Sequence, residues 1–419
     1  MITFVALLMF VQQGMGWSHS TFLCGLLTLP WVLQSFVQVQ VRRLRVLPRF
    51  LYLFEAGIFL MLVTLSFSFT GKWNSSYWIF LCLFVLCLFC TAHELAARML
   101  YERMLPPRVQ RIYDSSKMFF SQSAVVFTYG VMIVLVGTFE VVLYNHPHAI
   151  AQSWSMAVYL LAGVYLLLMI ANLLLLPLRP VHARPTPEAS SAKGITIRWP
   201  SFVTASSWKE TCFVILSLFF LLLPQSLMFH TRVLFLMSSV ADGGLGCSLQ
   251  WIGLAQGTVG VIAFSAGLGC GHWLLQHVGR RPWLLSPATP RRLYWSMVIP
   301  LGLSPFVYWL MTQWPPSGLL PLCAATAVAQ LCFGYGLNSC TTFIRRISGE
   351  RYRSTISYLY IPLVSLVMLP PMALSGWLLV QHGFERFFAV DALLALPAWL
   401  AAHLGWKTSP SSPSPQHVL

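Results

Sequence analysis

Charge is scarce in this sequence of 419 residues: 9% are Asp, Glu, Lys or Arg, against 57% hydrophobic. A soluble domain carries roughly 25% charged residues, so the chain does not face water all round. Acidic residues are rarest, 11 against 26 basic ones. Enzyme motifs are missing: no G-x-S-x-G, no H-E-x-x-H and no G-x-x-x-x-G-K-[ST] occurs. No catalytic activity, cofactor or bound metal is therefore expected. Lacking a nucleotide-binding loop, the chain does not read as a primary pump.

The net charge of +15 is not a nucleic-acid footprint, because the basic residues form short clusters between apolar runs. Ten cysteines do not form a disulfide framework either, since nearly all lie inside apolar runs, where thiols behave as small hydrophobes. Cys87 and Cys90 make a C-x-x-C with His93 one turn on. That spacing shares a helix face, but it lacks a second cysteine pair, and plain packing is the simpler reading.

What the chain has is long apolar runs. A spanning helix needs ~20 mostly apolar residues, and candidates fall near 1–13, 20–40, 50–70, 76–97, 118–139, 150–178, 211–231, 249–276, 293–312, 318–342, 355–380 and 386–406. The first would span only about 20 Å and is expected to be an incomplete helix. Charge tests the count independently. Of the 26 Lys and Arg, 23 fall in alternate connectors and the tail: 42–49, 98–117, 179–209, 280–292, 345–353 and Lys407. The other connections hold only Lys72, Arg232 and Arg386. Such alternation places both termini in the cytoplasm. An Asn-Ser-Ser glycosylation acceptor at 74–76 lies too close to the membrane to count.

Residues 179–209, rich in Pro, Ser, Ala and charge, read as a solvated linker. The expected organisation is an N-terminal helical half (1–178), a cytoplasmic linker (179–209), a C-terminal half (210–406) and a cytoplasmic tail (407–419). This all-α, six-plus-six, pseudo-symmetric arrangement of about 12 transmembrane helices resembles major facilitator superfamily transporters. In that architecture the substrate site lies between the halves at mid-membrane.

The wording is more specific from Leu223 to Gly269, with GGLG-x-S at Gly243 to Ser248, Ile252-Gly253, and GTVGVIAF at Gly257 to Phe264. This stretch resembles AmpG-type muropeptide permeases, a branch related to acetyl-coenzyme A transporters. GMGWSHSTF…LPWVLQSF from Gly14 to Phe36 and AHELAA from Ala92 to Ala97 fit more loosely. The superfamily's loop motif is eroded. Arg42-Arg43-Leu44-Arg45 and Gly271…Gly279-Arg280-Arg281 keep basic residues without the acidic partner.

Ionisable residues at bilayer depth are functional candidates by default. His93 and Glu94 sit where the related permeases carry a His–acid pair, and could exchange a proton. The alternative is a salt bridge from Glu94 to Arg98, one turn on. On the seventh helix stand Gln225, His230 and Arg232. The resemblance implies an acid near Gln225, which an amide cannot replace as a proton carrier. Arg232 either meets an anionic substrate or snorkels to the interface. Gln256, Asn338, Tyr358 and Tyr360 either bond a substrate or bond neighbouring helices. Gly257, Gly260, Gly267, Gly269 and Gly271 give the eighth helix a small-residue surface, for static packing or for a sliding contact. Pro362, Pro370 and Pro371 interrupt the eleventh helix's backbone ladder.

The sequence thus predicts a monomeric, multi-pass secondary transporter of a bacterial inner membrane. By resemblance it moves peptidoglycan fragments or another polar small molecule with protons. The alternatives are a carrier for an acetyl-coenzyme A-like anion and a transport-inactive membrane scaffold or sensor.

Overall fold

A computed structural model of the chain describes residues 2–34, 47–70, 75–175, 208–279, 289–348 and 353–408. An apolar run in hydrocarbon must satisfy its N–H and C=O groups internally, and the described residues are accordingly helical with no strand. We number the helices α1 (Ile2–Gln12), α2 (17–32, broken at Leu27–Thr28), α3 (Leu47–Thr70), α4 (Ser76–Met104), α5 (107–142) and α6 (Ala149–Leu175). Then follow α7 (Trp208–Met237), α8 (249–279), α9 (Thr289–Gln313), α10 (Leu319–Ser348), α11 (353–382) and α12 (384–408). α11 and α12 run on without a loop except at Gly383, whose φ of 71° breaks the helix at a value that suits glycine. Among the described residues nine apolar stretches are long enough to cross a membrane, the last of them holding both α11 and α12. With α1 and α2 the bundle has twelve helices. The 179–207 part of the expected linker and most basic connectors lie outside the described residues.

The helices alternate in direction, and contacts fix which ends lie together. Gln12, Glu140 and Trp154 meet at one end, where Gln12 Nε2 donates to Glu140 Oε1 (2.7 Å) and Trp154 Nε1 donates to Gln12 Oε1 (2.6 Å). At the same end Gln313 Nε2 donates to Glu385 Oε1 (3.0 Å), and the Trp17 and Phe384 rings lie 5.3 Å apart. This is the end with few basic residues. The opposite end carries the basic connectors and is called the basic end below. α1 is short, about 16 Å, but it is central: Phe4, Ala6, Leu7, Leu8, Met9 and Phe10 are each 2% exposed or less.

The first six helices meet the last six along two seams near the non-basic end, and both depend on glycine. In the first, α2 crosses α11. A Cβ on Gly25 would fall 2.7 Å from the Ala373 Cβ, and one on Gly376 would overlap Thr21 Oγ1. Thr21 Oγ1 instead accepts the Gly376 N–H (3.1 Å). In the second seam α5 crosses α8, and each has a π-helical turn there, Phe127–Val131 and Gly253–Val259. Gly257 lies against the Tyr129 carbonyl, Gly130 against Thr258 Oγ1, and Gly253 against Val134 and the Gly130 carbonyl. Closer to that end, Gly137 sits over Leu249. Towards the basic end Ser265 donates to Gln122 (2.9 Å), residues 116–121 are exposed, and α5 meets α4, where Tyr101 donates to the Gln110 carbonyl (3.2 Å). Among the described residues the close backbone contacts between the two sets of six helices gather near the non-basic end.

The small-residue surface of α8 therefore divides. Gly257 serves the seam with α5, whereas Gly260, Gly267 and Gly271 pack on α10, and Gly269 has nothing within 4 Å. The GGLG-x-S stretch is a tight connection between α7 and α8. Gly243 and Gly246 take φ values of 80° and 62°, and a Cβ on Gly244 would strike the Ser238 carbonyl. Ser248 Oγ then caps α8 by accepting the Trp251 N–H (3.4 Å). Turn geometry accounts for the glycines and for Ser248.

Gly257→Ala is expected to lower the stability of the purified protein by about 1–3 kcal/mol, because the added methyl meets backbone. Gly269→Ala should leave it unchanged or slightly raised. Thermal unfolding in detergent checks both.

Candidate functional site: a buried polar path between the seams

Two polar clusters lie inside the bundle. The first is in the basic half of the first six helices. Glu55 on α3 is 1% exposed. Its Oε1 accepts from Asn172 Nδ2 on α6 (2.8 Å) and lies 3.2 Å from His93 Nε2 on α4. Glu55 Oε2 is buried without a hydrogen-bond partner. Tyr52 donates to the Asn172 carbonyl (3.3 Å), which holds α3 to α6. Thus His93 pairs with Glu55, not with its neighbour Glu94. Successive residues on a helix point about 100° apart, so His93 turns toward α3 while Glu94 turns outward. Glu94 is 44% exposed and bonds Arg98 (3.3 Å).

The second cluster sits level with the α5–α8 seam, where α1, α5, α7, α8 and α9 converge. Arg232 lies five residues before the end of α7 but does not reach the interface: it is 6% exposed. Neither its Nε nor its Nη1 has a hydrogen-bond partner, and among the described residues no carboxylate forms an ion pair with it. The Phe229 ring lies 5.0 Å from the guanidinium. Tyr129 and Tyr308 are near enough to interact with its charge. Tyr308 donates to Gln256 Oε1 (3.2 Å) and is also within hydrogen-bonding reach of Gln330. Tyr129 stacks on Phe4 of α1 at 4.5 Å. The magnitudes are unequal. A cation over a ring gains about 0.5–2 kcal/mol, whereas burying an unpaired ion costs several kcal/mol even after relaxation. Among the described residues nothing balances this charge.

The remaining predicted residues divide between this region and ordinary packing. His230 is 1% exposed, with Nδ1 3.4 Å from the Met372 carbonyl of α11 and Nε2 unbonded. Gln225 donates to the Leu301 carbonyl of α9 (2.7 Å) and leaves its Oε1 unbonded. Asn338 donates to the Leu268, Gly334 and Tyr335 carbonyls (3.1–3.3 Å), which makes it a clamp between α8 and α10. Tyr360 is half-buried against the cluster of Leu218, Tyr294 and Phe343. The Tyr358 side chain lies outside the described residues. Pairwise sequence reasoning missed Asn172, Tyr129, Tyr308 and Gln330, because each acts through a partner on another helix. Asp391 on α12 is 1% exposed with both carboxylate oxygens unbonded. It stands one turn from Phe388, whose ring stacks on Tyr308 at 5.7 Å.

The described helices form an all-α membrane bundle whose fold is shared with solved transporters. No protein-family model matches the sequence, and no curated protein matches it significantly. Among solved structures, it is similar to a bacterial homolog of the human lysosomal transporter Spinster in an inward-facing, unoccupied conformation. That match has a TM-score of 0.70 at 15% identity, covering 99% of this chain and 94% of the other. It is also similar to a D-xylose-proton symporter (TM-score 0.64, 13% identity, 98% and 93% covered). The inward-open xylose transporter XylE from E. coli matches with a TM-score of 0.62 at 10% identity, covering 100% and 93%.

His93→Leu should cost about 1–3 kcal/mol of stability, because Glu55 keeps a single donor in a buried setting. Arg98→Ala should cost less than about 1 kcal/mol, since its pair is solvent-screened. Thermal denaturation of the two variants side by side orders them.

Proposed function

We propose that this chain is a secondary transporter that moves a polar small molecule across a bilayer by alternating access, coupled to protons. One observation carries the reading. Among the described residues the two sets of six helices meet in glycine seams near the non-basic end, and a buried polar cluster around Arg232 stands level with the α5–α8 seam. In a membrane, buried polar groups are costly and are retained where a solute or ion passes. A bundle of two halves closing on either side of such a centre is the working geometry of a carrier. The halves are residues 1–178 and 210–406, joined by the 179–209 linker, and residues 407–419 form a tail.

The clustering of Lys and Arg in alternate connectors supports placing the basic end and both termini in the cytoplasm. By resemblance the membrane is a bacterial inner membrane and the solute a peptidoglycan fragment, carried by a monomer. A carrier for an acetyl-coenzyme A-like anion is the second reading, favoured by the buried Arg232. In this reading the proton path includes His93 and its buried partner Glu55, 3.2 Å away. That a neighbour in fold is a D-xylose-proton symporter supports proton coupling as a mode open to this architecture.

Purified protein in vesicles with an imposed pH gradient should accumulate labelled muropeptide or labelled acetyl-coenzyme A, and an uncoupler should abolish accumulation. Glu55→Gln should lose the uncoupler-sensitive part while retaining exchange, and Glu94→Gln should behave as the parent. No uptake of either solute by correctly inserted protein would favour the scaffold reading instead.

A further inference from the structure

We propose that Arg232 is the anchor for an anionic group of the solute, a carboxylate or a phosphate, held at the junction of α5, α7 and α8. This rests on reading the bundle centre as a solute site and names the chemistry that the site selects. Arg232 is 94% buried by its 6% exposure, with Nε and Nη1 both unbonded. A guanidinium offers a planar fork of donors that matches a carboxylate or phosphate with two parallel hydrogen bonds. Around it stand polar groups that carry no formal charge: the Tyr129 and Tyr308 hydroxyls and the Gln256 and Gln330 amides. Such groups can bond the polar body of a solute without neutralising Arg232 in advance. Among the described residues both ion pairs, His93–Glu55 and Arg98–Glu94, lie in the first six helices, away from Arg232. A charge that packing alone required would be paired, and a charge that only receives an anion is left open.

The position adds a consequence. Tyr129 belongs to the π-helical turn of α5, and Gln256 stands beside Gly257 in the π-helical turn of α8. An anion held by Arg232 therefore touches both sides of the seam and reports its closure directly.

The test uses the purified full chain in detergent, with no solute added at first. Arg232→Met removes an uncompensated charge at similar volume, and should raise the thermal midpoint by about 2 °C or more. A muramyl tripeptide supplies carboxylates, acetyl-coenzyme A supplies phosphates, and inorganic phosphate is the minimal probe. At least one of them should raise the parent's midpoint. That rise should vanish in Arg232→Met and persist in part in Arg232→Lys. A response to the tripeptide alone assigns a carboxylate, and a response to the phosphate compounds alone assigns a phosphate. The proposal is overturned if Arg232→Met is less stable than the parent, if it keeps the full anion response, or if none of the three probes stabilises the parent. Anion binding through Arg232 without uptake in vesicles would defeat the transport reading and leave this one standing. Uptake that survives Arg232→Met would do the reverse.

Discussion

Where α5 crosses α8, the Gly257 backbone rests against the Tyr129 carbonyl, so that only hydrogen fits between the two chains. Everything else about the non-basic end follows from that approach and its counterpart between α2 and α11. Small residues let helices meet backbone to backbone in lipid, where no hydrophobic drive pulls helices together. Among the described residues no ion pair joins the two sets of six helices, and the seal is made by shape. A contact of that kind fits or fails over a fraction of an ångström, which suits a joint with two discrete states.

The same residues build the polar centre. The π-helical turns that bring Gly130 and Gly257 together also position Tyr129 and Gln256. A π-helical turn inserts an extra residue and re-aims the side chains beyond it, so seal and site share one local distortion. Phe4 of the short α1 stacks on Tyr129 from the other side, and Arg232 enters from α7. Separation of α5 and α8 would part Tyr129 from Gln256 and take apart the surroundings of the guanidinium. Glu55 and His93, in contrast, lie within the first half. Their role would be exercised through access from the basic end rather than through contact with the second half.

The helices were legible because their signal is long and redundant. Long apolar runs, checked by alternating basic clusters, place most of the spans, and the expected 249–276 and 76–97 spans fall inside α8 and α4. The break at Gly383 was legible for the same reason, with candidates ending at 380 and resuming at 386. Partners across the bundle were not. His93 and Glu94 are adjacent in sequence and diverge in space, while Glu55 is 38 residues from His93 and bonds it. No periodicity in one sequence reveals which face of α4 meets α3. Arg232 is intermediate: its residue type and depth marked it out, but whether it is buried and unpaired depends on helices that converge from far along the chain. GGLG-x-S shows the opposite limit. It stood out in the sequence, and its glycines serve a turn.

The central claim is that the two ends of the bundle open in alternation about the α5–α8 and α2–α11 seams. Distances between paired spin labels, in a background with the ten cysteines replaced, measure this without knowledge of the solute. One pair would sit at the non-basic end on the exposed positions Val141 and Trp251, the other at the basic end on Phe120 and Trp273. In bilayers, two populations are expected for each pair, and a change of pH that lengthens one distance should shorten the other. Distributions that stay single and unmoved at both ends, across pH and with either candidate solute added, would contradict it.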